Sequence, residues 1–482
     1  MKTKIYPRWC AAAAAALLLT MIACTKDYVT GKRTFSLVSE SQEIAMGKEA
    51  DPQIVAEYGL YDDESLAAMI DRIGQSLAKK SHRPQLSYTF RVLDSPVINA
   101  FALPGGYVYM TRGILAHFNS EDELAGVLGH EIGHVAARHG AEQMSRQQLT
   151  GLGLGIGAVV SEHFARYADF AGLGLNLLLL SYSRDQESES DMLGVEYATR
   201  IGYDAHRMAE FFGTLQKMRE QSGQSLPGFL STHPDPGDRN IRVNQLADEW
   251  QAEIDYQPLA IERYEYLKKI DGIVYGPDPR QGYVDGQMFY HPSMRFQFPI
   301  PSGWELANSA STVMMIDADK KAIMKLTLGN KETPAAQADD FVANSKAAVK
   351  RRTTDTINGF SAVVIESDVR TDSGVLGVLS YFIHKDDNMF VFHGLTTADK
   401  YGSYALTFDQ VMRGFEKVTD TVVLNKEPRR LRIKQTPEAG VLSVVLDRMG
   451  VAKDDVAAGT LLNGLSANAL VERGVWMKII DE

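Results

Sequence analysis

Two histidines four residues apart, with a glutamate directly after the first, stand in the stretch Ser120 to Gly140, SEDELAGVLGHEIGHVAARHG. Helical positions four apart differ by only about 40°, so His130 and His134 project from one face and can both reach one Zn²⁺. Glu131, beside them, can take a proton from an attacking water and return it to a leaving amine. The three residues together describe hydrolysis. Support for the helix is independent of the motif: Ser120 with Glu123 reads as a capping box, and Leu124, Val127, Leu128, Ile132 and Val135 recur at helical spacing. The three-histidine form of the motif is excluded, because the position six after His134 is Gly140. On one continuous helix His139 lies about 180° from His130, which predicts a surface place or a supporting one.

Two histidines leave a third protein ligand to find, and catalytic zinc commonly takes a carboxylate there. Ser181 to Ala198, SYSRDQESESDMLGVEYA, reads as a second helix carrying several. Glu187 and Asp191 are four apart and share a face, whereas Glu189 points about 160° away. One can bind a metal while the other orients a ligating histidine through its second ring nitrogen; spacing alone leaves open which does which.

The segments Asn99 to Gly106 (NAFALPGG), His130 to His134 and Ser183 to Asp191 together resemble the gluzincin metallopeptidases of the HtpX and BepA type, over roughly Lys32 to Trp250. The resemblance implies that Glu187 is the third zinc ligand and Asp191 its supporting partner. Ser190, where alanine is more usual, is a mild departure. Thr232-His233-Pro234 followed by Asp238-Arg239 also resembles a segment of the periplasmic members, which makes His233 a reversible extra ligand. Asn99, Ala100 and Arg239 are the corresponding candidates for contacts to substrate or transition state.

The elements that must position this chemistry are also legible. Ser39 with Gln42 opens a short helix expected to stop before Pro52, and Leu66, Met69, Ile70, Ile73 and Leu77 mark another from about Asp63 to Lys80. Ser87 to Leu93 alternates as a strand, and Asn99 to Leu103 and Tyr107 to Thr111 flank a turn at Pro104-Gly105-Gly106. The unpaired edge of such a strand can hold an extended peptide by β-augmentation. Gly151 to Leu180 is apolar, but Glu162, His163, Arg166 and Asp169 argue against a membrane span; helices forming a cover over the cleft, or core helices, are expected.

The ends of the chain carry a different message. Lys2, Lys4 and Arg8 precede the apolar run Ala11 to Ala23, the pattern of an export signal. Met21-Ile22-Ala23-Cys24 resembles a bacterial lipoprotein signal, which implies residues 1–23 as signal peptide, acylation of Cys24 and a membrane anchor through that lipid. Thr25, where aspartate would favour the inner membrane, points by the same resemblance to the periplasmic leaflet of the outer membrane. With Cys10 removed, the two cysteines of the chain leave no pair for a disulfide. A net charge of −11 and the lack of a basic stripe exclude a nucleic-acid partner.

The fold class expected is α+β. A mainly helical zincin domain with a small sheet spans 24–265, with a linker at 266–287. An α+β domain at 288–425 resembles PsbP-like domains through Phe298 to Trp304 and Asn358-Gly359-Phe360. A module at 426–482 resembles a degenerate LysM unit, which implies either peptidoglycan binding or a structural cap. The function expected is an envelope-anchored endopeptidase with one catalytic Zn²⁺, acting on unfolded or misassembled polypeptides. The rival is an envelope chaperone or wall-tethering lipoprotein with a latent zinc site.

Overall fold

The computed structural model describes residues 24–153, 182–222, 229, 233, 236–371 and 374–481. The expected signal peptide and nearly all of the expected cover lie outside the described residues. The chain opens with a ribbon of β1 (Cys24–Lys26) and β2 (Arg33–Phe35), followed by α1 (Glu40–Tyr58) and α2 (Glu64–Ala78). Ser39 and Gln42 form the reciprocal cap of α1, but the helix does not stop at Pro52. Proline removes one helical hydrogen bond, and here tertiary packing outweighs that loss. Asp51 accepts from Arg91 Nε and Nη2, both at 2.6 Å, and from the Tyr109 hydroxyl at 2.8 Å, while Ala50 and Ile54 pack against Leu93, Phe101 and Leu103.

A three-stranded sheet follows, in the order β3 (Thr89–Leu93), β5 (Tyr107–Thr111), β4 (Ala100–Leu103), with β3 parallel and β4 antiparallel to β5. Gly105 and Gly106, at φ +85° and +96°, make the turn between β4 and β5. Among the described residues, strand β4 has a partner on one side only. Beyond it run α3 (Arg112–His117), α4 (Glu121–Ala136), α5 (His139–Gly153), α6 (Arg184–Arg200), α7 (His206–Ser222), α8 (Pro236–Glu253) and α9 (Arg263–Ile270). The apolar stripe of α4 is buried in one core with α2, α6 and α7.

The second domain is an antiparallel sheet of seven strands in the order β12-β13-β14-β15-β11-β10-β9, beside a four-stranded sheet β16-β8-β7-β6. These are β6 (Tyr283–Asp285), β7 (Met288–His291), β8 (Phe296–Pro299), β9 (Trp304–Asn308), β10 (Thr312–Asp317), β11 (Ala322–Leu328), β12 (Ala348–Ile357), β13 (Phe360–Thr371), β14 (Gly374–Lys385), β15 (Asn388–Thr397) and β16 (Glu416–Lys417). Helix α10 (Pro334–Ser345) covers part of one face, and α11 (Tyr401–Arg413) packs on the other through Phe408, Val411 and Met412.

After a short turn of helix, α12 (Thr421–Leu424), the last unit pairs β17 (Arg430–Gln435) with β20 (Trp476–Asp481). Between them lie β18 (Gly440–Val441), α13 (Leu442–Arg448), α14 (Val456–Leu462) and β19 (Leu470–Val471). This unit shares its core with the metal-helix domain: Leu431, Leu462 and Ile480 join the cluster that holds Leu124 and Leu128. The fully buried Lys478 donates to the carbonyls of Ala116, His117 and Phe118 at 3.0, 3.2 and 2.9 Å, the free C-terminal end of α3.

The stretch 266–287, expected as a linker, is packed down instead. Gly272 and Gly276 do turn the chain, at φ +87° and +71°, but Ile270, Ile273 and Val274 are buried, and Arg112 Nη1 donates to the carbonyls of Val274 and Gly276, each at 2.8 Å. Among the described residues no helix is long and apolar enough to cross a membrane.

Candidate metal centre

The expected single helix from Ser120 to Gly140 is two. Helix α4 ends at Ala136, Arg138 adopts φ +60°, and α5 begins at His139. The N-terminal cap is also shared differently: Ser120 accepts from the Glu123 N–H at 3.2 Å, but the Glu123 carboxylate accepts from the N–H of Asn119 at 2.8 Å. The break at Arg138 folds His139 back onto the site rather than around to the far side. Its Nδ1 stands 2.9 Å from His134 Nδ1 and its Nε2 3.1 Å from Glu189 Oε2, so a carboxylate–imidazole chain supports His134 from behind.

Helices α4 and α6 cross at two glycines. A Cβ on Gly129 would stand 2.9 Å from the Gly194 carbonyl oxygen, and one on Gly194 would stand 2.7 Å from the His130 backbone nitrogen. This backbone-to-backbone approach brings the carboxylates of α6 to the histidines of α4. His130 and His134 approach through their Nε2 atoms at 3.0 Å, and Glu187 Oε1 lies 3.3 Å from His134 Nε2. His233 completes the cluster, with Nδ1 3.2 Å from His130 Nε2 and 2.9 Å from Glu187 Oε1. All four side chains are buried, and one donor atom from each lies within 4.8 Å of the others.

The set fits Zn²⁺. Two nitrogens each about 2.0–2.1 Å from a tetrahedral zinc stand roughly 3.3 Å apart, close to the separations found here. Burial holds His134 well below its usual imidazole range, keeping it neutral, as a ligand must be. The sequence reading left Glu187 and Asp191 undistinguished by spacing; in the structure Glu187 faces the imidazole nitrogens, whereas Asp191 Oδ1 stands 3.0 Å from His130 Nδ1, on the far side of the ring.

Asp191 is itself anchored. Arg239 donates to both its oxygens, at 2.7 and 3.0 Å, and Arg242 Nη2 to Oδ2 at 2.6 Å. Burial alone would raise the carboxyl of Asp191; Arg239 and His130 outweigh it and keep it ionised. Arg239 also forms an ion pair with Glu187 Oε2 at 3.0 Å and lies over the Phe212 ring at 4.1 Å. The structure places Arg239, a candidate for contact with substrate or transition state, against Asp191 and Glu187, where it is 3% exposed.

Glu131 is fully buried, and neither carboxylate oxygen has a hydrogen-bond partner among the described residues; His233 Nε2 is nearest, at 3.4 Å. Burial raises its carboxyl above the ordinary glutamate range, against the pull of His233 and His130. A carboxylate so raised is a stronger proton acceptor than an ordinary glutamate. Asn99 stands at the start of β4, where its N–H donates to Thr111 Oγ1 at 3.2 Å and its buried side-chain oxygen has no partner among the described residues. Ala100 pairs with Met110 on the closed side of β4. Ala102, Leu103 and Pro104 line a crevice with His134 and Tyr182.

Sequence reasoning passed over Arg242, Phe229 and Tyr182. Arg242 was within reach, three residues after Arg239 and so on the same helical face. Phe229 stacks on His233 at 4.4 Å and Tyr182 on His134 at 3.9 Å, contacts between separate segments that no spacing announces.

Residues 64–247 match Peptidase family M48. The chain is 32% identical over 231 residues to the beta-barrel assembly-enhancing protease of Yersinia pestis, covering 45% of this chain and 47% of that one. Against the protein of the same name in Escherichia coli it is 30% identical over 251 residues, half of each chain. The mitochondrial metalloendopeptidase OMA1 of Schizosaccharomyces pombe is 29% identical over 227 residues, 46% of this chain and 66% of that one. The chain thus spans about half the length of the bacterial relatives it matches. Among solved structures the cyanobacterial PsbP protein of Synechocystis covers 28% of this chain and 98% of its own, at 14% identity and a TM-score of 0.24, a score that carries no weight for the fold. Residues 64–247 form a domain of peptidase family M48.

Proposed function

We propose that the protein is a zinc-dependent endopeptidase of the bacterial envelope. The observation that carries this reading is the convergence of His130, His134, Glu187 and His233 on one buried point, with the unpartnered carboxylate of Glu131 beside it. His130, His134 and Glu187 would hold Zn²⁺ through Nε2, Nε2 and the carboxylate. Zn²⁺ bound there would polarise a peptide carbonyl and acidify water. Glu131 takes the proton of the attacking water and delivers it to the leaving amide nitrogen. Asp191 and His139 fix the ring orientations of His130 and His134 from behind, and Arg239 fixes both Asp191 and Glu187.

An extended substrate lies along the open edge of β4, with Asn99 and Ala100 at its upstream end and His134 and Tyr182 across the crevice. Main-chain pairing of this kind selects unfolded or misassembled polypeptides rather than a side-chain sequence, which fits a quality-control role. Similarity to proteases named for enhancing β-barrel assembly lends support to an envelope setting. His233 acts as a reversible fourth donor that substrate displaces. The chain is exported and anchored in the outer membrane through a lipid on Cys24, with the PsbP-like domain and the LysM-like unit as binding and capping modules.

The test is cleavage of unfolded casein by the soluble protein, with zinc content measured alongside, for wild type and Glu131→Gln. Glu131 is not among the four convergent donors, so the variant should keep one zinc and lose at least about 10²-fold in turnover. A wild type that binds zinc and does not cut, with His233→Ala equally inert, would instead favour a chaperone with a latent site.

A further inference from the structure

The seven-stranded sheet buries one face under α11, but α10 covers only part of the other. The remainder of that face borders a cavity of about 1330 Å³ that reaches across to the C-terminal turn of α1 and the segment 94–97 of the peptidase domain. The pairing registers set its wall. Ile316, Ile323, Leu395 and Val378 form one row across four strands, and Met314, Lys325, His393 and Ser380 form the next. Leu376 and Phe341 extend the apolar surface to either side. The exposed Val284 and Lys320 belong to the lining, so the cavity opens to solvent.

One charge on this wall stands apart. Lys320 lies exposed to water at the rim, and the remaining charged side chains around the cavity are engaged: Arg112 with Asp94 at 2.6 Å, Asp340 with Lys331 at 3.1 Å, Asp278 with Arg280 at 2.6 Å, and Glu57 with the Ser311 hydroxyl at 2.9 Å. His393 shares a 2.8 Å hydrogen bond with Ser380. Lys325, between Met314 and His393 and beside the apolar Ile316 row, has no ion-pair or hydrogen-bond partner among the described residues, and burial lowers its pKa against the attraction of Glu57. An ammonium partly removed from water is costly unless an anion meets it. The volume exceeds the roughly 300–1,000 Å³ of ordinary small-molecule sites, and the composition is theirs, an apolar wall with a few placed polar groups.

We propose that this cavity binds a long-chain fatty acid, its alkyl chain along Ile316, Ile323, Leu395 and Val378 with Leu376 and Phe341 at the sides, and its carboxylate on Lys325. Neither metal nor catalysis is involved, so the proposal stands or falls apart from the peptidase reading.

The experiment is calorimetric titration of the full chain with palmitate, with 1-hexadecanol and an apolar neutral peptide as comparators. Saturable one-to-one binding of palmitate is expected, at least tenfold weaker for hexadecanol. Lys325→Met, which keeps the apolar stem, should weaken palmitate at least tenfold and leave hexadecanol unchanged. Leu395→Trp should abolish both; Leu376→Phe, a smaller filling, serves if the tryptophan variant fails to fold, and should weaken both. Failure of palmitate to saturate, binding indifferent to the filling variants, equal affinity for acid and alcohol, or preference for the peptide would each overturn the proposal.

Discussion

His233→Ala tests the gate proposed at the candidate metal centre. His233 is fully buried, its Nδ1 lies 2.9 Å from Glu187 Oε1, and its ring stacks on Phe229 at 4.4 Å. A hydrogen bond to a charged group contributes about 1.5–3 kcal/mol and an aromatic stack about 0.5–1.5 kcal/mol, so at least about 2 kcal/mol holds the ring in place before any metal is counted. If substrate must displace His233, the competent state is reduced by that free energy, about 30-fold. Removing the ring should therefore raise the initial rate on unfolded casein by about 30-fold or more at subsaturating substrate. Zinc content should remain at one per chain, since His130, His134 and Glu187 persist. The assay is rate with metal analysis at matched protein concentration, and His233→Gln should behave similarly. An unchanged rate with zinc retained would refute the gate. A rate lost together with zinc would show His233 to be an obligatory ligand.

Three further outcomes follow from groups away from the metal. Burial lowers His117 to about 4 from 6.5, with Lys478 adding to the effect and the Gly113 carbonyl, 2.7 Å from Nδ1, opposing it. A depressed pKa gives stability that is complete above pH 6.5 and lost as pH falls through 4, so urea unfolding should show about 3 kcal/mol more acid loss in wild type than in His117→Leu; equal losses would remove His117 from the account. Lys478→Met should cost about 3–5 kcal/mol in the same assay at pH 7, because three buried carbonyls lose their donor, and a loss under about 1 kcal/mol would show that burying the Lys478 amine cancels its bonds. Burial works against protonation of His206, but Asp204 at 2.7 Å and Asp248 at 3.0 Å raise its pKa above 6.5. Its contribution is thus present below pH 6.5 and lost as pH rises through the folded value; an imidazole NMR titration midpoint at or below 6.5 would contradict the pairing, whose worth at this exposure is under about 1 kcal/mol.

Where the sequence spoke clearly, a period or a local cap did the speaking. The stripe from Leu124 to Val135 appears where the pattern put it, because burial of one face is decided by spacing alone; the strand expected over Ser87 to Leu93 forms at Thr89–Leu93, but Val92 and its neighbour Leu93 are both buried. The shared face of Glu187 and Asp191 was legible for the same reason. Which of the two turns toward the imidazole nitrogens was not, since it depends on how closely α6 approaches α4. That approach is set by Gly129 against Gly194, two residues without side chains to give a pattern. Pro52 misled the reading of α1 because its local cost is smaller than the anchoring of Asp51 by Arg91 and Tyr109, forty and fifty-eight residues away.

His139 shows the limit most sharply. Its expected position, opposite His130, assumed that the helix continues through Arg138, and nothing in the hydrophobic period from Leu124 onward forbids that. What breaks the helix is distant: the Arg138 side chain reaches Glu43 Oε2 at 2.8 Å and the Val38 carbonyl at 2.8 Å, and Glu43 in turn takes Arg83 at 2.9 Å. A non-glycine residue in the left-handed region costs of order 1 kcal/mol or more, and these buried charge-assisted bonds more than offset it. The N-terminal segment thus bends the chain just after the metal helix and turns His139 toward His134. Support for a candidate metal ligand is in this way built from residues 38 and 43, about a hundred positions upstream, where no motif around the histidines could register it.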